Sequence, residues 1–450
     1  MVAQLSDALR QRISIACLEF ERSWTTMMKT TKNLPFEEDS VFSAHKIISY
    51  NPTSEPVSNE FPKIKKSSET ISKIIQKHSK LVEEDLNNVQ SWILLGHCYL
   101  VLNDFPNAYS SYSHVHRITD KIQNPYFWYC SGIVYQHFRY NEEAIRFFAK
   151  VIQIAPKFPE INDLLFHLSI SYRQLSRYEE GIGFLQNVLA HPPANLVEDD
   201  INFQIAFTYQ CSGLTYSAYQ LYAKLYAKYP RSDCVIQQFL WFLSFQNADQ
   251  YLTVANDILN NLSEDQTTSP VIKLISARIA MKQQNLTLAY QKYCECSNYW
   301  CESPLFWCGL GILYFKSEQY EDAKIAFQRA IGNHTDIPEA WLNLGYICES
   351  TGDHAMARKI YETGAQQCSN TLPFQERIAQ NGVNYYRKGG TPQLMEIDEP
   401  KFALQTVDII VDRILDVPPK IPAEQFEGEE GIAEALEPLV MGYDSLFSKK

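Results

Sequence analysis

Apolar residues recur three or four positions apart along most of the chain, which is the spacing of one face of an α-helix. The stretch 303–331, SPLFWCGLGILYFKSEQYEDAKIAFQRAI, contains two such segments separated by a short polar turn. Gly311 lies inside the first segment, although glycine costs about 1 kcal/mol relative to alanine in a helix interior. Its position therefore indicates a close packing contact. We see no strand pattern and expect an all-α protein.

The same arrangement of residues recurs along the chain. Copies at 91–115, 127–156 and 339–364 repeat the Trp, Gly and Ala of the first stretch at the same offsets, and weaker copies fill the space between them. The small residue of each copy falls at position 96, 132, 169, 206, 240, 277, 311 or 345, so the copies are 34 to 37 residues apart. The framework residues of the four clearest copies are Trp92, Gly96, Ala108, Trp128, Gly132, Ala144, Trp307, Gly311, Ala323, Trp341, Gly345 and Ala357.

A period near 34 with this order of Trp, Gly, Tyr, Ala and an aromatic residue is typical of the tetratricopeptide repeat (TPR). Each unit is then a pair of antiparallel helices, A and B, and we expect the Gly on helix A to face the Ala twelve residues later on helix B. Stacked units predict an α-solenoid, a right-handed superhelix of about eight helix-turn-helix repeats with a concave groove. The copy at 231–263 keeps the length but loses the small residues, which predicts a hinge or an irregular packing site.

The array divides the 450-residue chain into three predicted regions. Residues 1–66 are expected to form an N-terminal helix and a loop, residues 67–390 the TPR array with its flanking helices, and residues 391–450 an acidic, partly disordered tail. The tail holds 13 Asp and Glu against 5 Lys and Arg, a net charge of −8 out of −12 for the whole chain. The protein owes its acidity mainly to this tail.

Two amphipathic segments flank the predicted array. The first, 67–88, predicts a helix with Ser67 or Ser68 as its N-cap. The second, 374–388, is expected to cap the last repeat. In the tail we expect a short helix at about 402–416, followed by a disordered acidic run, DVPPKIPAEQFEGEEG.

Charge and cysteine content restrict the possible partners. A net charge of −12 argues against direct nucleic-acid binding, because phosphate contacts need clustered Lys and Arg. No signal peptide or long apolar run is visible, and 11 scattered cysteines suit a reducing compartment. We therefore expect protein partners and no membrane association.

The sequence offers little catalytic or metal-binding chemistry. It contains no phosphate-binding glycine loop, no H-E-x-x-H motif and no nucleophile elbow. Cys294, Cys296, Cys301 and Cys308 cluster, but their spacings match no usual zinc pattern. Packing by small apolar thiols is the preferred interpretation, with a zinc site as the alternative. We predict a protein that is not an enzyme and needs no cofactor or metal.

Helix A of each unit is expected to line the concave groove. Residues one, five and eight positions after the Trp position point into it, and the resulting surface is apolar and aromatic, suited to an amphipathic helix. The alternative for each residue is that the next unit covers it. The predicted groove residues are Ile93, His97, Leu100, Tyr129, Ile133, Gln136, Phe166, Ile170, Phe203, Phe207, Ile312 and Tyr346.

Several stretches carry a more specific resemblance. WILLGHCYLVLNDFPNAYSSYSHV, HPPANLVEDDINFQIAFTYQ and EAWLNLGYICESTGDHAMARKIYETG, together with 303–331, resemble consecutive pieces of one family over roughly residues 85–390. That family is the TPR subunit of the Tup–Cyc general transcriptional corepressor, and the TPR region of the UTX/UTY histone demethylases is related to it. The fungal low-complexity tails and a demethylase domain have no counterpart in this sequence.

The resemblance implies a nuclear scaffold for transcriptional regulation. Its early units would hold a helical segment of a WD-repeat corepressor, and its later units would contact DNA-binding repressors and recruit histone-modifying factors. Two alternatives remain open. The first is a cytoplasmic TPR adaptor for complex assembly or trafficking. The second, the non-catalytic half of an enzyme, is less favoured because little chain follows the array.

Overall fold

The computed structural model describes residues 61–193, 196–246, 248–368, 371–380 and 419–426, together with Glu429, Ile432 and Leu436. Within these residues it contains 19 α-helices, one short 3-10 helix and no strand. The helices alternate with short turns, as the repeat pattern predicts. The predicted N-terminal helix and the predicted tail helix at 402–416 lie outside the described residues.

The chain divides into two compact units. The first comprises residues up to Ser212 together with the C-terminal segment from Arg413, and the second comprises Gly213–Asp412. The helices of the first unit are α1 Phe61–Glu84, α2 Val89–Val101, α3 Phe105–Ile118, α4 Pro125–His137, α5 Asn141–Ile154, α6 Ile161–Gln174, α7 Tyr178–Ala190 and α8 Glu198–Cys211, with the 3-10 helix Ala423–Phe426.

The second unit continues the same alternation. Its helices are α9 Thr215–Lys228, α10 Asp233–Phe245, α11 Asp249–Asn260, α12 Glu264–Thr268, α13 Pro270–Lys282, α14 Leu286–Trp300, α15 Pro304–Lys316, α16 Tyr320–Asn333, α17 Pro338–Ser350, α18 His354–Gln367 and α19 Leu372–Gln380. The all-α prediction of paired helices is confirmed in the described residues.

Helix α1 begins earlier than the sequence predicts. It starts at Phe61, so Ser67 and Ser68 lie inside it and the predicted serine N-cap is wrong. Pro62 occupies the first turn, where a missing backbone N–H costs nothing because the donors of the first turn have no helical acceptor. The helix ends at Glu84, before the Asn residues of the following turn.

The glycine of helix A makes room for an aromatic ring of helix B. A Cβ atom added to Gly132 would lie 2.4 Å from Cε1 of Phe148, and one added to Gly345 would lie 2.2 Å from Cε1 of Tyr361. Gly96 and Gly311 meet the rings of Tyr112 and Phe327 in the same way. Each ring belongs to the residue sixteen positions after the glycine, and all four rings are fully buried.

The position twelve residues after the glycine also approaches helix A. In the third repeat Gly181 occupies it, and a Cβ there would lie 3.1 Å from the backbone oxygen of Ser169. Ala108 and Ala144 occupy it in the first two repeats and are fully buried. The predicted approach of the +12 position is thus present, but the closest atoms to the helix A glycine belong to the +16 ring.

The framework tryptophans hold the loop that precedes each helix A. In every clear copy the indole Nε1 donates a hydrogen bond to the backbone oxygen six residues earlier, at 2.7–3.0 Å. The pairs are Trp92 with Leu86, Trp128 with Ile122, Trp307 with Cys301 and Trp341 with Thr335. The tryptophans therefore connect consecutive repeats.

The turn between helices A and B uses a left-handed residue. Seven residues after the small position, φ lies between +60° and +87° in all seven repeats where the structure describes this residue. Only two of these residues are glycine, and five carry a side chain at a cost of roughly 1–2 kcal/mol each. The seven residues are Asn103, Arg139, Ser176, Gly213, Gln284, Glu318 and Gly352.

The degenerate fifth repeat still forms a helix pair, α10 and α11. Leu240 stands at its small position and is fully buried, while Asn256 stands where the other repeats place a large ring or Leu185. The short helix α12 then interrupts the regular alternation before α13. The irregularity predicted within 231–263 is not seen as a break in the helix pair, and the inserted helix lies just after that segment.

The last described helix, α19, closes the second unit as predicted. Phe374 is fully buried and packs against Tyr361, Cys368 and Leu342 of the last repeat. A Cβ added to Gly364 would lie 2.6 Å from the Phe374 ring, so this capping contact also uses a missing side chain.

We predict that Gly132→Ala destabilises the protein although alanine is the better helix former. Overpacking against the buried Phe148 ring costs roughly 1–3 kcal/mol, and the gain in helix propensity offsets about 1 kcal/mol of that. Gly183→Ala is the matched control, because nothing lies within 4 Å of a Cβ at this helical glycine. Urea unfolding should show a lower midpoint for Gly132→Ala and an equal or higher midpoint for Gly183→Ala. Equal behaviour of the two variants would contradict the packing role.

The turn geometry gives a second prediction. Glu318→Gly should raise the free energy of unfolding by up to about 1 kcal/mol, because it relieves a left-handed side chain. Gly352→Ala, at the equivalent position of the next repeat, should lower it by about 1–2 kcal/mol. Thermal unfolding followed by circular dichroism checks both signs, and a shift in the same direction for both variants would exclude this explanation.

Candidate protein-binding groove

The predicted groove residues all lie on A helices, and most of them are shielded from solvent. Eleven of the twelve are buried, and Tyr346 is half-buried. In the first unit they lie on α2, α4, α6 and α8, and in the second unit Ile312 lies on α15 and Tyr346 on α17. The structure therefore aligns them by helix, as expected, but covers them.

Hydrogen bonds to the next helix A explain part of this burial. The Gln136 amide on α4 donates to the backbone oxygen of His167 at 2.6 Å and to Oγ of Ser171 at 2.7 Å. Its Oε1 pairs with Nδ1 of His167 at 2.7 Å. The Tyr129 hydroxyl donates to the Asp163 carboxylate, again on α6. The Gln136 amide and the Tyr129 hydroxyl therefore hydrogen-bond to the neighbouring repeat.

The next step along the first unit repeats this arrangement. Arg173 on α6 donates from Nη1 to Oε1 of Gln204 on α8 at 2.7 Å, and its guanidinium lies 4.9 Å from the centre of the Phe207 ring. Arg173 is buried, so this contact occurs in a dry environment. The A helices of the first unit are thus tied together by buried polar side chains.

In the second unit the two predicted residues have different surroundings. Ile312 lines a small cavity together with Leu305, Cys308 and Tyr293. The Tyr346 ring lies 5.7 Å from the Phe315 ring on the preceding A helix. Tyr346 is the predicted groove residue with the most solvent-accessible side chain, and its role in binding stays a prediction.

A segment of the C-terminal tail lies on the first repeats. The Phe426 ring is fully buried and packs edge-on against the His97 ring, with their centres 6.0 Å apart. Ile421 is also buried. We call the surface carrying Lys77, His78, His97 and Asn124, from α1, α2 and the N-terminus of α4, the early face.

Polar contacts fix the tail at both ends of this face. The Asn124 amide donates to Oε1 of Gln425 at 2.7 Å. Lys77 Nζ donates to Oε1 of Glu429 at 2.5 Å, and Nε2 of His78 lies 3.1 Å from the same oxygen. Three helices of the first unit therefore each contribute a contact to the tail.

The electrostatics of the early face match the acidic tail. Burial alone would raise the pKa of Glu429, but hydrogen bonds and charge from Lys77 and His78 hold that pKa below its usual value. The carboxylate therefore stays charged near neutral pH. Burial lowers the pKa of His97 to about 3, so the imidazole under Phe426 is neutral. The tail thus places an aromatic ring on a neutral surface and a carboxylate beside a cation.

Sequence reasoning missed the tail contacts. The expectation of disorder in DVPPKIPAEQFEGEEG does not hold for residues 419–426, where the chain forms a 3-10 helix with Ile421 and Phe426 buried. The two buried side chains are five residues apart and give no helical period. The only sequence feature that indicated their burial was the presence of two large apolar side chains within an acidic stretch.

The cysteine cluster is split between core and surface. Cys296 and Cys308 are buried in α14 and α15, while Cys294 and Cys301 are exposed. Across the described residues, no three His, Cys, Asp or Glu side chains are grouped so that they could hold a metal ion. In the same part of the chain, no helix combines the length and apolarity needed to cross a bilayer.

Comparison with known proteins identifies the repeat and its relatives. The tetratricopeptide repeat family model matches residues 308–372. The chain is 29% identical over 158 residues to the general transcriptional corepressor ssn6 of Schizosaccharomyces pombe, a match covering 35% of this chain and 14% of that protein. It is 25% identical over 144 residues to the general transcriptional corepressor trfA of Dictyostelium discoideum, covering 32% of this chain and 10% of that protein. The chain therefore matches only a small part of each relative.

Two solved structures share a partial likeness with this chain. A tetratricopeptide repeat protein from Parabacteroides merdae is 12% identical with a TM-score of 0.37, and the match covers 68% of this chain and 99% of that one. Yeast Tom70 is 11% identical with a TM-score of 0.39, covering 70% of this chain and 85% of that one.

We predict that Gln136→Ala lowers the free energy of unfolding by roughly 1–3 kcal/mol, because it leaves buried polar groups of His167 and Ser171 without partners. Gln153→Ala, on the exposed side of α5, is the matched control and should change stability by less than about 0.5 kcal/mol. Chemical denaturation of both variants measures the difference. A neutral Gln136→Ala would mean that water replaces the lost amide.

Proposed function

We propose that this TPR chain, which is similar to general transcriptional corepressors, is a non-enzymatic scaffold subunit of a transcriptional corepressor. It binds protein partners through the early face and brings DNA-binding repressors together with histone-modifying factors. The observation that carries the proposal is the similarity to two proteins that are both named general transcriptional corepressors.

The structure supports a binding role through the early face. This surface combines a buried aromatic seat at His97 with the exposed cation of Lys77 and the amide of Asn124. Such a combination suits a short peptide that offers an aromatic anchor and a carboxylate, since a few buried anchors supply most of the affinity of an interface. We assign to it a helical segment of a WD-repeat corepressor.

The site of action we propose is the nucleus. A chain with a net charge of −12 would reach DNA through a bound repressor rather than through phosphate contacts of its own. The competing function is that of a cytoplasmic TPR adaptor for complex assembly or trafficking, and the same experiment separates the two.

The proposal is tested by tethering and purification. The full chain is fused to a heterologous DNA-binding domain and tethered upstream of a reporter gene, and the same chain is purified from whole-cell extract with its partners. We expect several-fold repression of the reporter and recovery of a WD-repeat protein with histone-modifying factors. Lys77→Glu should reduce both, because it reverses the charge of the early face.

Lys224→Glu on α9 is the matched control, since it makes the same charge change at another exposed lysine. This variant should repress like the unmodified chain. An unrepressed reporter, together with recovery of cytoplasmic assembly or trafficking factors, would overturn the corepressor proposal in favour of the adaptor.

A further inference from the structure

The tail segment on the early face has the features of a bound ligand. Its contacts involve separate helices of the array, α1, α2 and the start of α4. They combine one apolar anchor with two polar contacts placed on either side of it. A segment that merely followed the surface would not bury an aromatic side chain completely, as Phe426 is buried.

We propose that tail residues 419–426, together with Glu429, are an intramolecular ligand of the early face, and that partners compete with them for it. The recognised element is an aromatic residue followed three positions later by a carboxylate, represented here by Phe426 and Glu429. A partner segment with an aromatic residue and a carboxylate at the same spacing binds at the same place on the early face. This inference rests on the proposed protein-binding role of the early face.

The aromatic half of this recognition element depends on His97. Nδ1 of His97 pairs with the Tyr112 hydroxyl at 2.7 Å, which fixes the orientation of the imidazole ring. Tyr112 in turn is the ring that fills the space at Gly96. The seat of Phe426 is therefore built on the central packing contact of the first repeat, so it is present whether or not the tail is bound.

The carboxylate half depends on α1. His78 is buried and its Nδ1 pairs with Oγ of Ser91 at 3.1 Å, so its Nε2 is directed to Glu429. Lys77 adds a charge from the solvent side. Glu424 lies only two residues before Phe426 but is exposed, so it provides a matched acidic position without a place in the recognition element.

A covalently attached ligand has a large advantage over a free one. Tethering gives an effective concentration that reaches the order of millimolar. A free peptide must therefore compete with the tail, and a partner binds tightly only when its own affinity overcomes this competition. Weakening the tail alone should open the early face to a ligand in trans.

The experiment uses the purified full chain and a dye-labelled peptide of its own sequence, PKIPAEQFEGEEGIAEAL (residues 419–436), followed by fluorescence anisotropy. We expect weak binding to the unmodified chain and at least tenfold tighter binding to chains carrying Phe426→Ala or Glu429→Gln. Glu424→Gln makes the same charge change as Glu429→Gln and should behave like the unmodified chain.

A charge reversal tests the contact directly. Lys77→Glu placed in the Phe426→Ala chain should weaken the peptide at least tenfold, and a peptide carrying Glu429→Lys should regain part of that affinity. Circular dichroism of each chain checks that the helices persist, and Glu429→Gln provides the same test if Phe426→Ala unfolds. Equal peptide affinity for the unmodified, Phe426→Ala and Glu429→Gln chains, or no binding to any of them, would overturn the proposal.

This assay contains only the chain and its own tail. A positive result with no repression in the reporter assay would leave the intramolecular ligand intact and reject the corepressor function. Repression in the reporter assay without peptide competition would support the corepressor function and reject the intramolecular ligand.

Discussion

The contact between a glycine on helix A and a large ring on helix B is the constraint on which the packing of the four clearest repeats depends. It sets how closely the two helices approach. The A–B turn joins the helices of the pair, and the indole hydrogen bond holds the loop that precedes helix A. Where the glycine of helix A is replaced by a larger residue, the residue sixteen positions later on helix B can be smaller. Ser169 is matched by the smaller Leu185, and Leu240 is matched by Asn256 at the ring position. At these two pairs a larger residue on helix A is accompanied by a smaller one on helix B, in keeping with a densely packed core. Ala206 and Ala277, by contrast, are followed sixteen residues later by Tyr222 and Tyr293.

This constraint explains why much of the fold is predictable from the sequence. The spacing of Trp, Gly and Ala locates the A and B helices of the four clearest repeats, because each residue type meets a local packing requirement. The repeat pattern includes the ring sixteen residues after the glycine, but it predicts that the alanine at +12 faces the glycine. In the structure the ring lies closest to the glycine. Period alone gives the face on which a residue lies, and it does not give the distance between two faces.

The candidate site was less predictable for a related reason. The repeat pattern describes one unit at a time, whereas the burial of Gln136 and Tyr129 is decided by side chains of the next repeat, such as His167 and Asp163. The tail was harder still, because Ile421 and Phe426 belong to no repeat and no helical face. A segment of this kind is recognised by what it touches, and that information exists only in three dimensions.

The tail changes how the array should be regarded as a binding protein. An unoccupied groove binds whatever fits it, while a groove that already holds a ligand selects partners by how much better they fit. Specificity then comes from a difference between two affinities. Under the proposal, the acidic composition of the tail contributes to the choice of partner through Glu429, and not to solubility alone.

The fluorescence of the framework tryptophans can report on unfolding in each unit separately. Four of the seven indoles donate to the loop before their own helix, two in the first unit and two in the second. The emission of an indole depends on its surroundings, so opening of a loop that breaks this hydrogen bond is expected to shift the emission of the tryptophan concerned. Replacing Trp92 and Trp128 by phenylalanine would silence the loop reporters of the first unit and leave those of the second, and the reverse pair would do the opposite. The repeats thus carry intrinsic optical labels at the loops that precede four of the A helices.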